Sequence, residues 1–449
     1  MVNLNYDKKF NPISLVYNEF KKNVAKSKNK LIKICVERNN GYNYIYTLSI
    51  FDDEKENEEN YKIVSRIIKA ILWVVGGYKI YVSGDEYIYN RIKQDYTREG
   101  SRAFDVDFME RVYEKPFEVV FPKVFPESKT ATLPIGGHLN GNRIGFDAGG
   151  SDRKVSAVVN GKVVYSEEVV WSPKINTDWH YHYDGILTAM KTAASKMDSV
   201  DAIGVSSAGV YIDNKIMVAS LFLKVPKEDY KPHVQNMYMD VAKEIGAPIE
   251  VANDGDVTAL AGAMDLNDNC VLGIAMGTSE AVGYINDKGN LNGWISELAF
   301  VPVDFNEDSM VDEWSGDYGC GVKYLSQDGV IKLAEYGGYK FNEKLSPAEK
   351  LKEIQELAKK GDSFALKIYE DIGVYMGYAI AFYSEFYKIK HLLVLGRVTS
   401  GEGGSIICKK AKEVLEKEFP SLKDINISMP DEKNKRVGQS IAAASLKKI

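Results

Sequence analysis

Apolar and polar positions along the 449-residue chain fall into two regimes. In roughly the first 130 residues, short strand-like runs at 31–37, 44–51 and 79–83 frame helical patterns at 58–74 and 86–94. They follow a lysine-dense start that reads as a solvated helix face. The segment 116–141 carries several Pro and Gly residues and reads as a linker. From Arg143 onward strand and helix patterns alternate, which predicts an α/β fold. A boundary near 130–140 gives three expected parts: an N-terminal accessory α+β domain at 1–135, a first lobe at 142–262 and a second at 263–449.

Two places in the α/β part look alike. The first is Ile144-Gly-Phe-Asp147-Ala-Gly149-Gly150-Ser151, followed by strand-like 155–159, an Asn160-Gly161 turn and a strand at 162–170. The second is Val271-Leu-Gly-Ile-Ala-Met-Gly277-Thr278-Ser279, then 281–285 and a turn at 286–289. A Rossmann or P-loop glycine motif leads from a strand into a helix N-terminus. Here each glycine turn leads into another strand, and Asn-Gly is a strong hairpin signal. Two such hairpins about 130 residues apart predict a duplicated domain with a cleft between the copies. Backbone N–H groups of both turns could then point at one polyphosphate, and a Rossmann dehydrogenase is disfavoured.

Composition narrows the class further. Lys+Arg number 57 and Asp+Glu 63, a formal charge of −6, and hydrophobic residues make up 45%. Those values exclude a disordered chain, a collagen-like one and a strongly basic nucleic-acid binder. The early strands also argue against an N-terminal helix-turn-helix reader. The most apolar run, 67–76, is too short to span a bilayer and reads as a buried helix end. The opening MVNLNYDKKFNP lacks the apolar core of a signal peptide, and Cys35, Cys270, Cys320 and Cys408 are scattered. The expectation is a reduced, cytoplasmic protein.

Candidate chemistry sits at the strand ends. Asp147 ends a buried strand just before Gly149-Gly150-Ser151, where it could hold a magnesium ion through water while phosphate oxygens approach the glycine backbone. An ordinary Asp-x-Gly turn between two strands reads equally well. Asn253-Asp254-Gly255-Asp256 follows a strand and precedes a helix start at 258–264. Asp254 is either a general base that accepts a hydroxyl proton during phosphoryl transfer or a helix cap; Asp256 reads as the cap. The run Leu392 to Gly401, with Gly396 and Gly401, is a strand entering a small-residue turn and a helix at 405–418, which could pack against a nucleoside. His180 and His182 would share one strand face if their segment were extended; a polar contact or surface loop fits them better than a metal site.

Taken in order, these pieces resemble the ROK family of sugar kinases and repressors, within the actin, hexokinase and Hsp70 superfamily, over about 142–446. The resemblance implies duplicated ribonuclease-H-like lobes, the actin-like ATPase fold, beside the N-terminal α+β domain. Gly145 to Ser151 looks like the family's first phosphate motif, and Gly277, Thr278 and Ser279 like the second. Gly396 to Gly401 looks like the adenosine motif. Ile203 to Gly209 with Asp213 is similar to the segment before the sugar site. Asn253-Asp254 matches the family's pair, where Asn holds the sugar and Asp is the base. ATP and Mg2+ are the implied cofactors, with Asp147 the metal-side acid.

Departures from the family pattern are concentrated around the acceptor. Its sugar motif appears as Ser296-Glu297-Leu298-Ala299-Phe300, which keeps Glu297 as a sugar ligand but puts Phe300 in place of a histidine. Only Cys320 remains of the cysteine-rich motif in 316–322, so no structural zinc is expected. Val322 stands about where a sugar-binding glutamate belongs. Glu280 follows the second phosphate motif and would weaken nucleotide binding unless it points away, and Arg397 replaces a glycine. Each buried sugar hydroxyl left without a partner costs about 1–3 kcal/mol, so a less polar, deoxy, acylated or aryl-bearing sugar suits this chain better than glucose. Three readings follow: an ATP-dependent kinase of a sugar-like alcohol, a silent sugar or nucleotide sensor, and a repressor, which the net charge disfavours. No nucleic-acid or membrane partner is expected, and a homodimer is left open.

Overall fold

The lysine-dense start folds as helix α1 (Ile13–Ala25), burying Ile13, Tyr17, Phe20 and Val24 along one stripe while Lys22 stays exposed. The helix read from the lysine-dense start therefore precedes the first strand, with one face buried rather than solvated all round. In this computed structural model residues 1–130, 134–430 and 432–449 are described, side chains of 432–437 excepted. After α1 come β1 (Asn29–Glu37), β2 (Asn43–Phe51), helix α2 (Asn57–Val75), β3 (Lys79–Ser83), α3 (Glu86–Asp95), α4 (Ala103–Tyr113) and β4 (Glu118–Val120). The strand β4 lies inside the stretch expected to be linker. The sheet order is β2-β1-β3-β4, with β3 antiparallel to β1. That antiparallel pairing separates this sheet from the lobe-type sheet described next, where the first strand has a parallel neighbour.

Next come β5 (Asn142–Ala148), β6 (Asp152–Val159), β7 (Lys162–Val170), helix α5 (Trp179–Ala194), β8 (Ala202–Ser207), β9 (Val210–Ile212), β10 (Lys215–Val218) and the one-turn α6 (Lys227–Asp229). They are followed by α7 (Met237–Ile245), β11 (Ile249–Asn253) and α8 (Asp254–Leu266). Five of these strands form one sheet ordered β11-β8-β5-β6-β7. The meander β5-β6-β7 is antiparallel, whereas β8 and β11 run parallel to β5. The first glycine turn therefore does lead into a returning strand. Phe146, Ile203, Val205, Met190, Trp171 and Tyr238 belong to the apolar core under this sheet. The parallel strands β5, β8 and β11 end together, and their carboxyl ends are where ligands bind in sheets of this type.

The remainder comprises β12 (Val271–Met276), β13 (Glu280–Ile285), helices α9 (Gln327–Tyr336), α10 (Pro347–Lys359) and α11 (Ser363–Tyr383), then β14 (His391–Leu395), α12 (Glu402–Glu418), β15 (Asn426–Ser428) and α13 (Glu432–Ala444). A four-stranded sheet has the order β13-β12-β14-β15. Among the described residues no helix is long and apolar enough to cross a membrane.

The chain divides into two compact units. The first comprises Met1–Ala131, Ile274–Val282 and Trp294–Met429; the second comprises Thr132–Gly273, Gly283–Gly293 and Pro430–Ile449. The boundary expected near 130–140 falls partly on residues 131–133, outside the described ones. Within the first unit the N-terminal segment is tied to later elements. Backbone N–H groups of Asn5 and Tyr6 donate to the two Asp371 oxygens at 2.7 and 2.8 Å, and Phe305 N donates to Asn11 O at 2.8 Å. A buried ion cluster adds to this: Arg66, Lys69 and Arg102 all reach Asp317 Oδ2, at 2.7, 2.6 and 2.7 Å.

Candidate functional site

The second unit collects its chemistry at the ends of β5, β8 and β11. The parallel register sets Asp147 beside Ser206 and Asn253 beside Ser207. Ser206 Oγ donates to Asp147 Oδ1 at 2.9 Å. Asn253 is the N-cap of α8: its Oδ1 accepts from Gly255 N at 2.8 Å and its Nδ2 donates to Gly209 O at 2.8 Å. Asn253 keeps one further amide hydrogen and a lone pair for a ligand. Asp254 is thus the first helical residue rather than the cap, with Oδ1 accepting from Gly255 N at 3.0 Å.

Asp256 does not cap the helix either. It lies in the first turn of α8 and accepts from Tyr284 N at 3.2 Å. The sequence reading started this helix at 258; a strand-end Asn starts it four residues sooner, because its side chain satisfies the first free N–H. Burial pushes the Asp256 carboxyl up to about 7, opposed by the Tyr284 hydrogen bond.

The two carboxylates expected to act are both raised, and Asp254 senses the charge of Asp147. Burial raises Asp147, while the Ser206 hydrogen bond and the Lys154 charge pull it back. Burial also raises Asp254, the Asp147 charge raises it further, and the Gly255 N–H and Lys174 oppose the shift. A pair of half-buried acids whose repulsion a cation would relieve suits Mg2+, which takes one or two protein carboxylates plus water and phosphate oxygens. Among the described residues no three His, Cys, Asp or Glu side chains assemble into a dedicated metal cage. His180 and His182 lie on helix α5 rather than on a strand. His182 is buried with its Nε2 near Pro173 O at 3.0 Å and Leu221 O at 3.2 Å, a structural role.

The turn at Gly149 to Ser151 is held by Trp171, the residue after β7. Trp171 Nε1 donates to Gly149 O at 2.7 Å, and Trp171 N donates to Ser151 O at 3.1 Å. A methyl added at Gly149 would lie 2.6 Å from Asp152 O, so only glycine fits. At Gly150 the neighbouring space is taken by Lys174, which sequence reasoning missed. Ser206 was also missed, since its role depends on strand register and leaves no local motif.

The first unit carries the other candidates. Gly277 N donates to Ser279 O at 2.9 Å, and Thr278 and Ser279 are exposed. Gly396 has φ +101° and abuts the Met276 backbone, a left-handed conformation that glycine adopts without strain. Gly401, φ +71°, is the N-cap residue of α12, and open space surrounds it. Arg397 is exposed. Glu280 is only 2% exposed; Tyr383 Oη donates to its Oε1 at 3.2 Å and its other oxygen faces Gly321. Burial pushes it up to about 8, the Tyr383 bond opposing and Glu297 adding. Glu280 is thus a buried, largely neutral acid, and the turn beside it presents no carboxylate from this residue.

Around Glu297 the backbone is bound to the end of α2. Ser296 N donates to Val74 O at 3.0 Å and Glu297 N to Trp73 O at 2.9 Å. Phe300 packs on Trp73 at 4.3 Å between ring centroids and on Phe104 at 5.4 Å. Phe104 and Phe300 are both half-buried. Cys320 is fully buried, 3.9 Å from Lys69 Nζ, and burial raises its thiol.

Comparison with known proteins fits this architecture. No curated protein matches the chain. Among solved structures, a ROK hexokinase from Thermus thermophilus is similar at 13% identity, with a TM-score of 0.53, over 67% of this chain and 97% of that one. A ROK family transcriptional regulator, described as a homologue of the E. coli MLC protein, is similar at 17% identity with a TM-score of 0.54. It covers 69% of this chain and 79% of that one. These likenesses establish the fold: α/β, with the duplicated lobes of the actin-like ATPases and an added N-terminal α+β segment. The family model for ROK matches residues 143–444, the same span over which the sequence motifs lie, and the chain belongs to the ROK family.

Proposed function

We propose that the protein transfers a phosphoryl group from ATP to a hydroxyl of a sugar or sugar derivative, in the cytoplasm, as an enzyme of the sugar kinase type. The observation that carries this reading is the pair Asp147 and Asp254, set at the ends of β5 and β11 and raised by burial. Asp254 accepts the acceptor hydroxyl proton as that oxygen attacks the terminal phosphorus. Asp147 and Ser206 would hold Mg2+, which when bound neutralises phosphate charge. In the second unit Gly149, Gly150 and Ser151 offer backbone and hydroxyl donors to phosphates. In the first unit Gly277, Thr278 and Ser279 are the phosphate candidates and Gly396 and Gly401 the nucleoside candidates. Asn253 and Glu297 bind the acceptor.

Phe300 and Phe104 give the neighbourhood of Glu297 an aromatic face, which favours an acceptor with an apolar substituent. No zinc is assigned to 296–322, and the segments 1–135, 142–262 and 263–449 are read as accessory part, first lobe and second lobe. The decisive experiment is Asp254→Asn. Phosphoryl transfer should fall on the order of 10²-fold or more while MgATP binding survives. Unchanged transfer would remove Asp254 as the base.

A second reading, a silent sensor of the same fold, draws support from Val322, buried at 9% exposure where the family pattern has a polar sugar ligand. Its mark is ligand binding without turnover.

A further inference from the structure

The segment that follows β7 is built to deliver a lysine to the first glycine turn. Trp171 grips both sides of that turn through Gly149 O and Ser151 O. Two residues on, Pro173 is buried and its carbonyl faces the Nε2 of the buried His182, which Leu221 O also approaches. That anchored stretch carries Lys174. A methyl added at Gly150 would lie 2.9 Å from Lys174 Cε and 3.1 Å from its Nζ, so the side chain lies across the glycine. Lys174 is exposed and makes no hydrogen bond or ion pair with any described residue. Asp152, the acid beside Gly149, already has Lys154, at 3.2 Å.

An exposed lysine resting on a turn is ordinarily a solvated side chain. Three features set this one apart. Its backbone is fixed by a buried histidine and a tryptophan clamp rather than left as a free loop. Its ammonium makes no hydrogen bond or ion pair among the described residues, although it lies beside a turn of backbone donors. Its charge is felt by Asp254, partly offsetting the rise that burial and Asp147 impose there. A cation that lies on a glycine turn and whose charge reaches Asp254 suits a phosphate group, since a lysine binds phosphate as a mobile point charge.

We propose that Lys174 is a phosphate-binding residue of the transfer site, engaging the terminal phosphoryl group of ATP beside Gly150. This rests on the kinase reading of the same site. In the transfer, the acceptor oxygen forms the new bond to the terminal phosphorus and its proton passes to Asp254. The bond from that phosphorus to the bridging oxygen breaks and ADP leaves. Lys174 makes and breaks no covalent bond; it offsets charge on the phosphoryl oxygens as they pass from donor to acceptor.

The test compares wild type, Lys174→Met and Lys174→Arg in calorimetric titrations with MgATP and with MgADP. Thermal unfolding serves as the check that the exposed site has not disturbed folding. Loss of a charged hydrogen bond predicts that Lys174→Met weakens MgATP about tenfold or more, with MgADP changed less than about threefold. Lys174→Arg should restore most MgATP affinity because the charge is kept. Equal, small effects of Lys174→Met on both nucleotides would overturn the assignment and leave the kinase reading intact. Absence of MgATP binding by the wild type would overturn both.

Discussion

Asp254, Asp147 and Glu280 show how burial decides what an acid can do. Raised Asp254 loses its proton only at a pH above its ordinary value of 3.8, so the acidic limb of kcat/KM should lie higher than for a free carboxylate. That limb should vanish from the residual activity of Asp254→Asn. Glu280 gives a stability prediction with a definite sign. Its carboxyl rises from 4.5 unfolded to about 8 folded, so the folded state holds the extra proton between those values. Stability contributed by that proton is present at low pH and lost as pH rises toward about 8. Glu280→Gln should therefore leave Tm nearly unchanged at about pH 5 and raise it relative to wild type at about pH 9. Equal Tm differences at both values would contradict the buried neutral acid. At this scale the sequence was informative where the residue stands in a motif: Asp147 and Asp254 were singled out from their strand-end positions. It was silent on Ser206 and Lys174, because strand register and the approach of a later segment bring them to the site. For Asp256 and the two histidines it misled, since the helix start and the α5 helix were assigned wrongly.

Among the elements, α2 has the most to hold. From Ile63 to Val75 it is buried all round, including Arg66 and Lys69. Its last carbonyls, which a helix leaves unpaired, accept from 295–297 and so fix the backbone of Glu297. Asp317 balances the helix's buried cations. Burial alone would raise its carboxyl, but the charges of Arg66, Lys69 and Arg102 hold it well below the usual range. That stabilisation is complete above the unfolded value of 3.8 and is lost only in strong acid. Asp317→Asn would strand three cations, and breaking one side of a buried pair costs about 3–5 kcal/mol, measurable as a lower urea midpoint. A shift below about 1 kcal/mol would show that solvent or another anion compensates the cluster. The N-terminal strands, α2, α3 and the two glycine hairpins were legible to within a few residues, because their apolar periods are strong and Asn-Gly marks a hairpin. By contrast, α4, α5, α7 and α9 to α11 were not read as helices. Helix α1 was legible only as a lysine-rich face, and β4 was hidden among prolines.

For the whole molecule, the family span could be read from motif order, since 142–446 agrees with the matched residues 143–444. What could not be read is that the first 131 residues cluster with 274–282 and 294–429. The ties responsible, such as Asn5 and Tyr6 to Asp371 or Arg66 to Asp317, join residues hundreds of positions apart and leave no local pattern. Deleting 1–130 should then expose the apolar faces of α11 and of 295–305. The expected outcome is a chain that loses the cooperative unfolding of the first unit, seen by calorimetry. A truncated chain with a sharp native transition for that unit would show the segment to be a detachable accessory. The central claim is that this fold still binds ATP to transfer its phosphate. Calorimetric titration of the full-length protein with MgATP, beside Asp147→Ala, tests it most directly. The account predicts micromolar binding that the substitution abolishes; no binding to the wild type at millimolar ATP would contradict it.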